Sequence, residues 1–211
     1  MQSNRSNLLS DVAEYYADKL AQYGETAQGV DWNGEGSQLL RFEQLCKIVD
    51  ASKSFSINDL GCGYGALYDF LTAKYESFSY LGVDVSVDMI QAANKRFKDK
   101  SNIRFITSSK PDEIADYSIA SGVFNVRMGR SDSEWRSYFK AILSELDANS
   151  RLGFAFNCLT SYSDENKIRD YLYYANPGDV FDLCKRRFSK NVALLHDYDL
   201  YEFTVLVRKL P

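Results

Sequence analysis

The stretch from Ile57 to Leu71 constrains the fold more than any other part of this chain, and it reads INDLGCGYGALYDFL. A short apolar segment ends near Asp59, three glycines follow within five positions, and a helical pattern begins after them. Glycine adopts positive φ angles without strain and lets the backbone approach another group closely. A strand, a glycine-rich turn and a helix in this order therefore predict a ligand-binding turn at the end of a buried strand.

Length and composition indicate one domain with a sizeable core. The 211 residues are 45% hydrophobic and 26% charged, as in ordinary globular proteins. The net charge of −4 provides no basic surface of the kind that binds nucleic acid. The N-terminal segment lacks the apolar core of a secretory signal, and no apolar run approaches the ~20 residues of a membrane span. We therefore expect a cytoplasmic protein, a monomer or homodimer, without membrane or nucleic-acid partners.

Cysteine and histidine usage argues against a metal centre. Four cysteines stand at scattered positions without a C-x-x-C pair, and the chain has a single histidine. Metal sites built from Cys and His need several such ligands at characteristic spacings. The sequence therefore predicts no metal site, and free thiols are the simplest state of the cysteines.

Residues 1–52 and residues 53–211 differ in their patterns. In the first part, apolar residues recur at helical spacing on both sides of a loop that reads GETAQGVDWNGEGS, which predicts a helical cap or lid. In the second part, helical patterns alternate with strand-like segments, namely FSINDL, SFSYLGVD, NIRFITS, YSIASGVF and RLGFAFNC. A tyrosine-rich lid insertion at about 158–177 and a hairpin at 191–209 follow. The alternation predicts a single-domain α/β fold, with a mostly parallel sheet, helices on both faces and an antiparallel strand from the hairpin.

Three kinds of glycine-rich turn could explain the opening stretch. A Walker A loop needs a lysine after its glycines, and none is present here. A dinucleotide-binding fingerprint is formally complete as Gly61, Gly63 and Ala66, with Asp84 as the later acid. However, the carboxylate of Asp59 is unfavourable beside an anionic pyrophosphate and favourable beside a cofactor that carries an ammonium and a sulfonium.

The paired motifs then identify a family. DLGCGYG, followed by YLGVDVSVDMIQAANKRF, resembles the first two motifs of the class I S-adenosylmethionine-dependent methyltransferases, and the resemblance covers roughly residues 54–160. It implies a Rossmann-like, mostly parallel sheet of seven strands and methyl transfer from S-adenosyl-L-methionine, with S-adenosylhomocysteine as product. The [DN]-P-P-[YFW] run of amino-directed DNA methyltransferases is missing. We therefore expect a small-molecule acceptor that is methylated at oxygen or nitrogen.

Three alternatives stay open at this point. An NAD(P)-dependent reductase of Rossmann type would use the same glycine turn. A catalytically inactive protein could retain the fold and bind S-adenosylmethionine without turnover. A protein or peptide could replace the small molecule as methyl acceptor.

The resemblance implies a role for each residue around the glycine turn. The main chain at Gly61, Cys62 and Gly63 would pass under the methionine and ribose portions of the cofactor. Asp59 would lie near the methionine amino group. Asp84 would accept hydrogen bonds from both ribose hydroxyls, since an ionised carboxylate has two acceptor oxygens.

The resemblance also implies contacts from the ends of the following strands. Val85 and Met89 would pack on the adenine ring, and Ser108 would reach the adenine amino group. The backbone carbonyls of Ser121 and Gly122 would accept from the methionine ammonium.

The remaining candidates come from the cap and from strand ends. Tyr16 and Trp32 belong to the predicted cap and are candidates for cofactor contacts, and Arg41 would pair with the methionine carboxylate. Asn125 stands where many members of the family carry a histidine, so it cannot act as a base there. His196 is the only histidine of the chain. It ends a predicted strand and is the candidate proton acceptor.

Overall fold

In the computed structural model, which describes residues 2–32 and 34–209 and the side chains from residue 8 onward within them, eight strands form one sheet. The strands are β1 (Phe55–Leu60), β2 (Phe78–Asp84), β3 (Ile103–Thr107), β4 (Ala115–Ala120), β5 (Ser150–Thr160), β6 (Tyr174–Ala175), β7 (Asn191–Leu195) and β8 (Glu202–Arg208). The α-helices of the same part of the chain are α1 (Gln2–Tyr23), α2 (Glu35–Leu45), α3 (Ala66–Lys74), α4 (Val87–Arg96), α5 (Asp132–Ala148) and α6 (Pro177–Arg187). None of these helices is long and apolar enough to cross a membrane.

The strand order is β3-β2-β1-β4-β5-β8-β7. Neighbours from β3 to β5 run parallel, and β8 runs antiparallel to both β5 and β7. The mostly parallel sheet and the antiparallel C-terminal strand are therefore confirmed. The count of seven strands was wrong by one, because the two-residue strand β6 pairs with the end of β5 outside the main order.

Helices cover the sheet through two separate apolar clusters. Phe154 and Phe156 belong to one cluster, whereas Ala155 belongs to the other. Because side chains alternate across a strand, the two clusters lie on opposite faces of the sheet. The apolar stripe of α5 packs into the first cluster, and α3 and α4 contribute to the second. Helices on both faces are thus confirmed.

Local capping determines where two of these helices begin. The hydroxyl of Ser86 accepts a hydrogen bond from the Met89 N–H, so Ser86 is the N-cap of α4. Ser131 and Glu134 form a capping box at the start of α5. These caps satisfy backbone donors that a helix leaves unpaired at its first turn.

The carboxyl ends of β2, β1 and β4 lie side by side at one edge of the sheet. β4 ends at Ala120, whereas the sequence predicted a strand as far as Phe124. That prediction was wrong because Gly122 has a φ of 78°, which breaks the extended backbone and starts a turn. The turn brings Val123 against Gly61, in the glycine turn that follows β1.

Candidate active site

A cavity opens at the carboxyl ends of β1, β2 and β4, and we call it the first cavity. Twelve of the thirteen residues predicted to bind the cofactor line it. They are Tyr16, Trp32, Asp59, Gly61, Cys62, Gly63, Asp84, Val85, Met89, Ser108, Ser121 and Gly122. The exception is Arg41. The fold therefore brings together residues that are more than 100 positions apart in the chain, such as Tyr16 and Gly122.

Asp84 holds the glycine turn in place. One carboxylate oxygen accepts a hydrogen bond from the Gly63 N–H at 2.9 Å, and the other accepts from the Ser86 N–H at 2.9 Å. Burial raises the pKa of Asp84, and these backbone donors oppose part of that shift. A carboxylate can accept about four hydrogen bonds in all. Asp84 therefore keeps acceptor capacity for a ligand after it has fixed the turn.

Asp59 is buried at the end of β1, with 2% of its surface exposed. The Tyr80 hydroxyl donates to its Oδ2 atom at 2.5 Å. Burial raises the pKa of Asp59 to about 7, the negative charge of Asp84 adds to the effect, and the Tyr80 hydrogen bond opposes it. A carboxyl group with such a pKa changes its charge near neutral pH, which makes it sensitive to a cationic ligand.

Two glycines at this edge meet specific steric requirements. Gly61 has a φ of 78°, and a Cβ atom there would lie 2.5 Å from Cγ2 of Val123. A Cβ atom on Gly122 would lie 2.7 Å from the ring of Trp32. The backbone turns are therefore packed directly against neighbouring side chains, and a larger residue would have to displace them.

A second cavity, of about 530 Å³, adjoins the first. Four residues line both cavities, namely Tyr16, Val30, Trp32 and Val126. Tyrosines from the predicted insertion and from the β7–β8 hairpin complete its wall, including Tyr171, Tyr174 and Tyr201. Its volume is typical of sites for small molecules.

Arg41 lines the second cavity and forms a buried ion pair with Glu202. Its Nε and Nη2 atoms donate to the Glu202 carboxylate at 2.5–2.9 Å. The guanidinium lies 3.9 Å from the centre of the Trp32 ring. Its Nη1 atom is buried and has no hydrogen-bond partner among the described residues. Pairing with a cofactor carboxylate thus stays a prediction, and Nη1 is the donor that could make it.

Sequence reasoning missed Glu202, which lies 161 positions from its partner Arg41. The one available signal was an acid at the start of the otherwise apolar segment EFTVLV. It also missed Asp31 in the GVDW loop, which lines the second cavity. Asp31 accepts hydrogen bonds from the Tyr15 hydroxyl and the Lys19 ammonium, both at 2.7 Å.

The two catalytic candidates lie in different surroundings. Asn125 lines the second cavity, where its side-chain oxygen accepts from the Leu159 N–H at 3.3 Å. His196 is exposed after β7, with its ring 6.0 Å from that of Tyr162, and it lines neither cavity as far as the structure describes them. The geometry does not bring His196 and Asn125 together, and a catalytic role for each stays a prediction.

Comparison with known proteins decides the family. Residues 57–147 match the family described as "Methyltransferase domain". A protein of Mycobacterium tuberculosis (strain ATCC 25618 / H37Rv), named "Putative methyltransferase Rv1506c", is 60% identical over 163 residues, which are 77% of this chain and 98% of that protein. The chain belongs to the methyltransferase family. Membership of this family favours methyl transfer over the dinucleotide-dependent reductase activity that the glycine fingerprint left open.

Solved structures show the fold of this methyltransferase. The DhpI-SAM-HEP complex has a TM-score of 0.64 at 13% identity, over 96% of this chain and 98% of the other. Magnesium protoporphyrin IX methyltransferase (ChlM) from Synechocystis PCC 6803, with bound SAM, has a TM-score of 0.55 at 15% identity, over 83% of this chain and 77% of the other. These similarities confirm the predicted Rossmann-like fold of the class I methyltransferases.

Proposed function

We propose that this methyltransferase binds S-adenosyl-L-methionine in the first cavity and methylates an oxygen or nitrogen atom of a small molecule in the second. The observation that carries the proposal is the shared wall, because Tyr16, Val30, Trp32 and Val126 line both cavities. A group bound in one cavity can therefore lie next to a group bound in the other.

The residues of the first cavity fit the chemistry of this cofactor. Asp84 has acceptor capacity left for a ribose diol, and Asp59 offers a carboxylate to an ammonium. Val85 and Met89 supply apolar surface for an adenine ring. The Ser121 hydroxyl is buried without a hydrogen-bond partner among the described residues, so a polar ligand atom would satisfy it.

The protein's contribution to such a reaction is chiefly positioning. The bound cofactor supplies a methyl group that its sulfonium makes electrophilic. Holding two reactants in the correct geometry contributes up to roughly 7–11 kcal/mol. Tyr16 and Trp32, at the shared wall, combine apolar area with polar tips and would orient both partners.

The second cavity offers groups for orienting the acceptor and moving its proton. The side-chain oxygen of Asn125 accepts from the Leu159 N–H, and its Nδ2 atom can donate to an oxygen of the methyl acceptor. Asp31 is flanked in the chain by Val30 and Trp32, which both line the shared wall. Its carboxylate can accept the proton that a hydroxyl or a neutral amine loses as it is methylated. His196→Ala would test the competing assignment, since loss of methyl transfer there would favour His196.

Two measurements test the proposal. Calorimetry should show binding of S-adenosylhomocysteine and none of NADH, and the reverse result would overturn the cofactor assignment. Incubation with methyl-labelled S-adenosylmethionine and fractionated cell extract should label the small-molecule fraction. Label in the protein or nucleic-acid fraction would contradict the acceptor class, and binding without any labelling would favour the catalytically inactive alternative.

The pH dependence of binding tests the role of Asp59. Its pKa is about 7 in the free protein, and a ligand ammonium beside it would favour the ionised form. S-adenosylhomocysteine should therefore bind more tightly as pH rises through about 7, by up to roughly tenfold for each unit by which binding lowers the pKa. Asp59→Asn should bind more weakly above neutral pH and lose this dependence. Calorimetry in buffers of different ionisation enthalpy should also detect proton release when the unsubstituted protein binds S-adenosylhomocysteine. If the Kd of the unsubstituted protein and that of Asp59→Asn changed with pH in the same way, the role given to Asp59 would be contradicted.

The same carboxyl affects stability with a definite sign. Its pKa is raised from 3.8 in the folded state, so folding favours the protonated form. Its stabilising contribution is therefore complete below about pH 3.8 and is lost as pH rises through about 7. Asp59→Asn should reduce the loss of unfolding free energy between acidic and slightly alkaline pH. Chemical denaturation across that pH range measures the unfolding free energy of both proteins. If that free energy fell with pH as steeply in Asp59→Asn as in the unsubstituted protein, the burial argument would be contradicted.

A further inference from the structure

We propose that Glu202 is a positioning residue for the cofactor, acting through Arg41 on one side and through Asn157 on the other. The inference rests on the proposed function, since it concerns how the methionine end of S-adenosylmethionine is recognised. Glu202 and Arg41 both line the second cavity and not the first. The effect of Glu202 on the cofactor must therefore pass through the side chains that it holds.

The three side chains form one buried network. Arg41, Asn157 and Glu202 are 5%, 0% and 2% exposed. Glu202 accepts from Nε and Nη2 of Arg41, and its Oε2 atom also accepts from Nδ2 of Asn157 at 2.6 Å. The side-chain oxygen of Asn157 in turn accepts from the Gly122 N–H at 2.8 Å. A continuous chain of hydrogen bonds thus runs from Arg41 to the turn after β4.

The network leaves one donor of the guanidinium unused. Glu202 occupies Nε and Nη2, whereas Nη1 is buried without a partner among the described residues. An unpaired buried donor destabilises the protein, so it would gain from an acceptor supplied by a ligand. An arginine held by two of its nitrogens is also fixed in orientation, which reduces the entropy lost when the third nitrogen binds.

The guanidinium of Arg41 lies beside the wall between the two cavities, because it stacks on Trp32, which lines both. The Trp32 ring packs against Gly122. Trp32 and Gly122 both line the first cavity. The two ends of the network therefore meet at the same place, where a carboxylate could face Nη1 and an ammonium could face the carbonyls of the turn at Ser121 and Gly122.

The charge of Glu202 is required because a buried arginine needs a counter-charge. Removing one partner of a buried ion pair leaves an uncompensated charge and is strongly destabilising. Glutamine at this position would also offer a single acceptor oxygen where the carboxylate offers two. The fork of Arg41 would lose its fixed orientation, and the link through Asn157 to Gly122 would weaken.

The experiment compares two ligands that differ in the methionine end. S-adenosylhomocysteine carries the amino and carboxylate groups, and 5′-methylthioadenosine lacks both while keeping the adenosine and the thioether. Calorimetry measures the preference for S-adenosylhomocysteine as the ratio of the two Kd values. For Glu202→Gln we expect this preference to fall about tenfold to a hundredfold, which is the range that one charge-assisted hydrogen bond contributes. A residue that only stabilises the fold would lower the Tm and leave this ratio unchanged.

Further variants keep the test decisive if Glu202→Gln does not fold. Arg41→Met combined with Glu202→Leu removes both charges at similar volume, which buried ion pairs often tolerate. This double variant should fold and lose the same preference. Asp112→Asn, which alters the exposed pair of Arg104 and Asp112, is the matched control and should change neither Kd. An unchanged ratio in the folded variants would overturn the inference, whereas failure of the original protein to bind S-adenosylhomocysteine would overturn the proposed function itself.

Discussion

Replacing Asp84 with asparagine is expected to weaken S-adenosylhomocysteine binding by about a hundredfold or more, since two charge-assisted hydrogen bonds each contribute roughly 1.5–3 kcal/mol. The carboxylate accepts from Gly63 and Ser86 and keeps capacity for a ribose diol. An amide has one acceptor oxygen, so it cannot serve the glycine turn, the helix start and the ligand together. Calorimetric titration with S-adenosylhomocysteine measures the change in Kd.

Asp88→Asn provides the matched control for this prediction. Asp88 is an exposed acid in the first turn of α4, the helix that begins shortly after Asp84. It does not line the first cavity. Its replacement should cost about 0.3–1 kcal/mol in stability, through the helix dipole, and leave the Kd unchanged. If Asp84→Asn bound as tightly as Asp88→Asn while both remained folded, the ribose assignment would be wrong.

The second large effect is expected for Gly61→Ala. At a φ of 78° a Cβ atom would lie 2.5 Å from Cγ2 of Val123, so either the turn or Val123 must move. Backbone strain of this kind costs about 1–3 kcal/mol. Because the displaced turn lines the first cavity, we expect S-adenosylhomocysteine binding to fall at least about tenfold in addition to the lower stability. Thermal unfolding and calorimetry together measure the two effects.

Gly36→Ala separates this effect from the general consequence of replacing glycine. Gly36 lies within α2, and a Cβ atom there would meet nothing within 4 Å. Alanine favours a helix by up to about 1 kcal/mol over glycine, so this variant should be slightly more stable and should bind unchanged. Equal ligand affinity in Gly61→Ala and Gly36→Ala would show that the turn after β1 does not approach the cofactor.

Some features of the site depend mainly on residues that are neighbours in the chain. The glycine turn after FSINDL, the cap at Ser86 and the acid at the end of β2 each follow from a few consecutive residues. Local backbone preferences and hydrogen bonds determine such features, so they can be predicted from a short stretch. The predicted end of β4 was wrong, because the apolar residues after Gly122 continue a strand-like pattern although that glycine turns the backbone.

The sequence by itself determined that a carboxylate, a glycine turn and a second carboxylate stand at the ends of adjacent strands, because alternating strands and helices bring those ends to one edge of a parallel sheet. Only the tertiary structure decided what surrounds them. The partner of Arg41 is Glu202, 161 positions away, and the adjoining second cavity is assembled from α1, the insertion and the β7–β8 hairpin. A buried charge is stabilised by the group that the fold places beside it, and that group cannot be predicted from the residues near the charge in the chain.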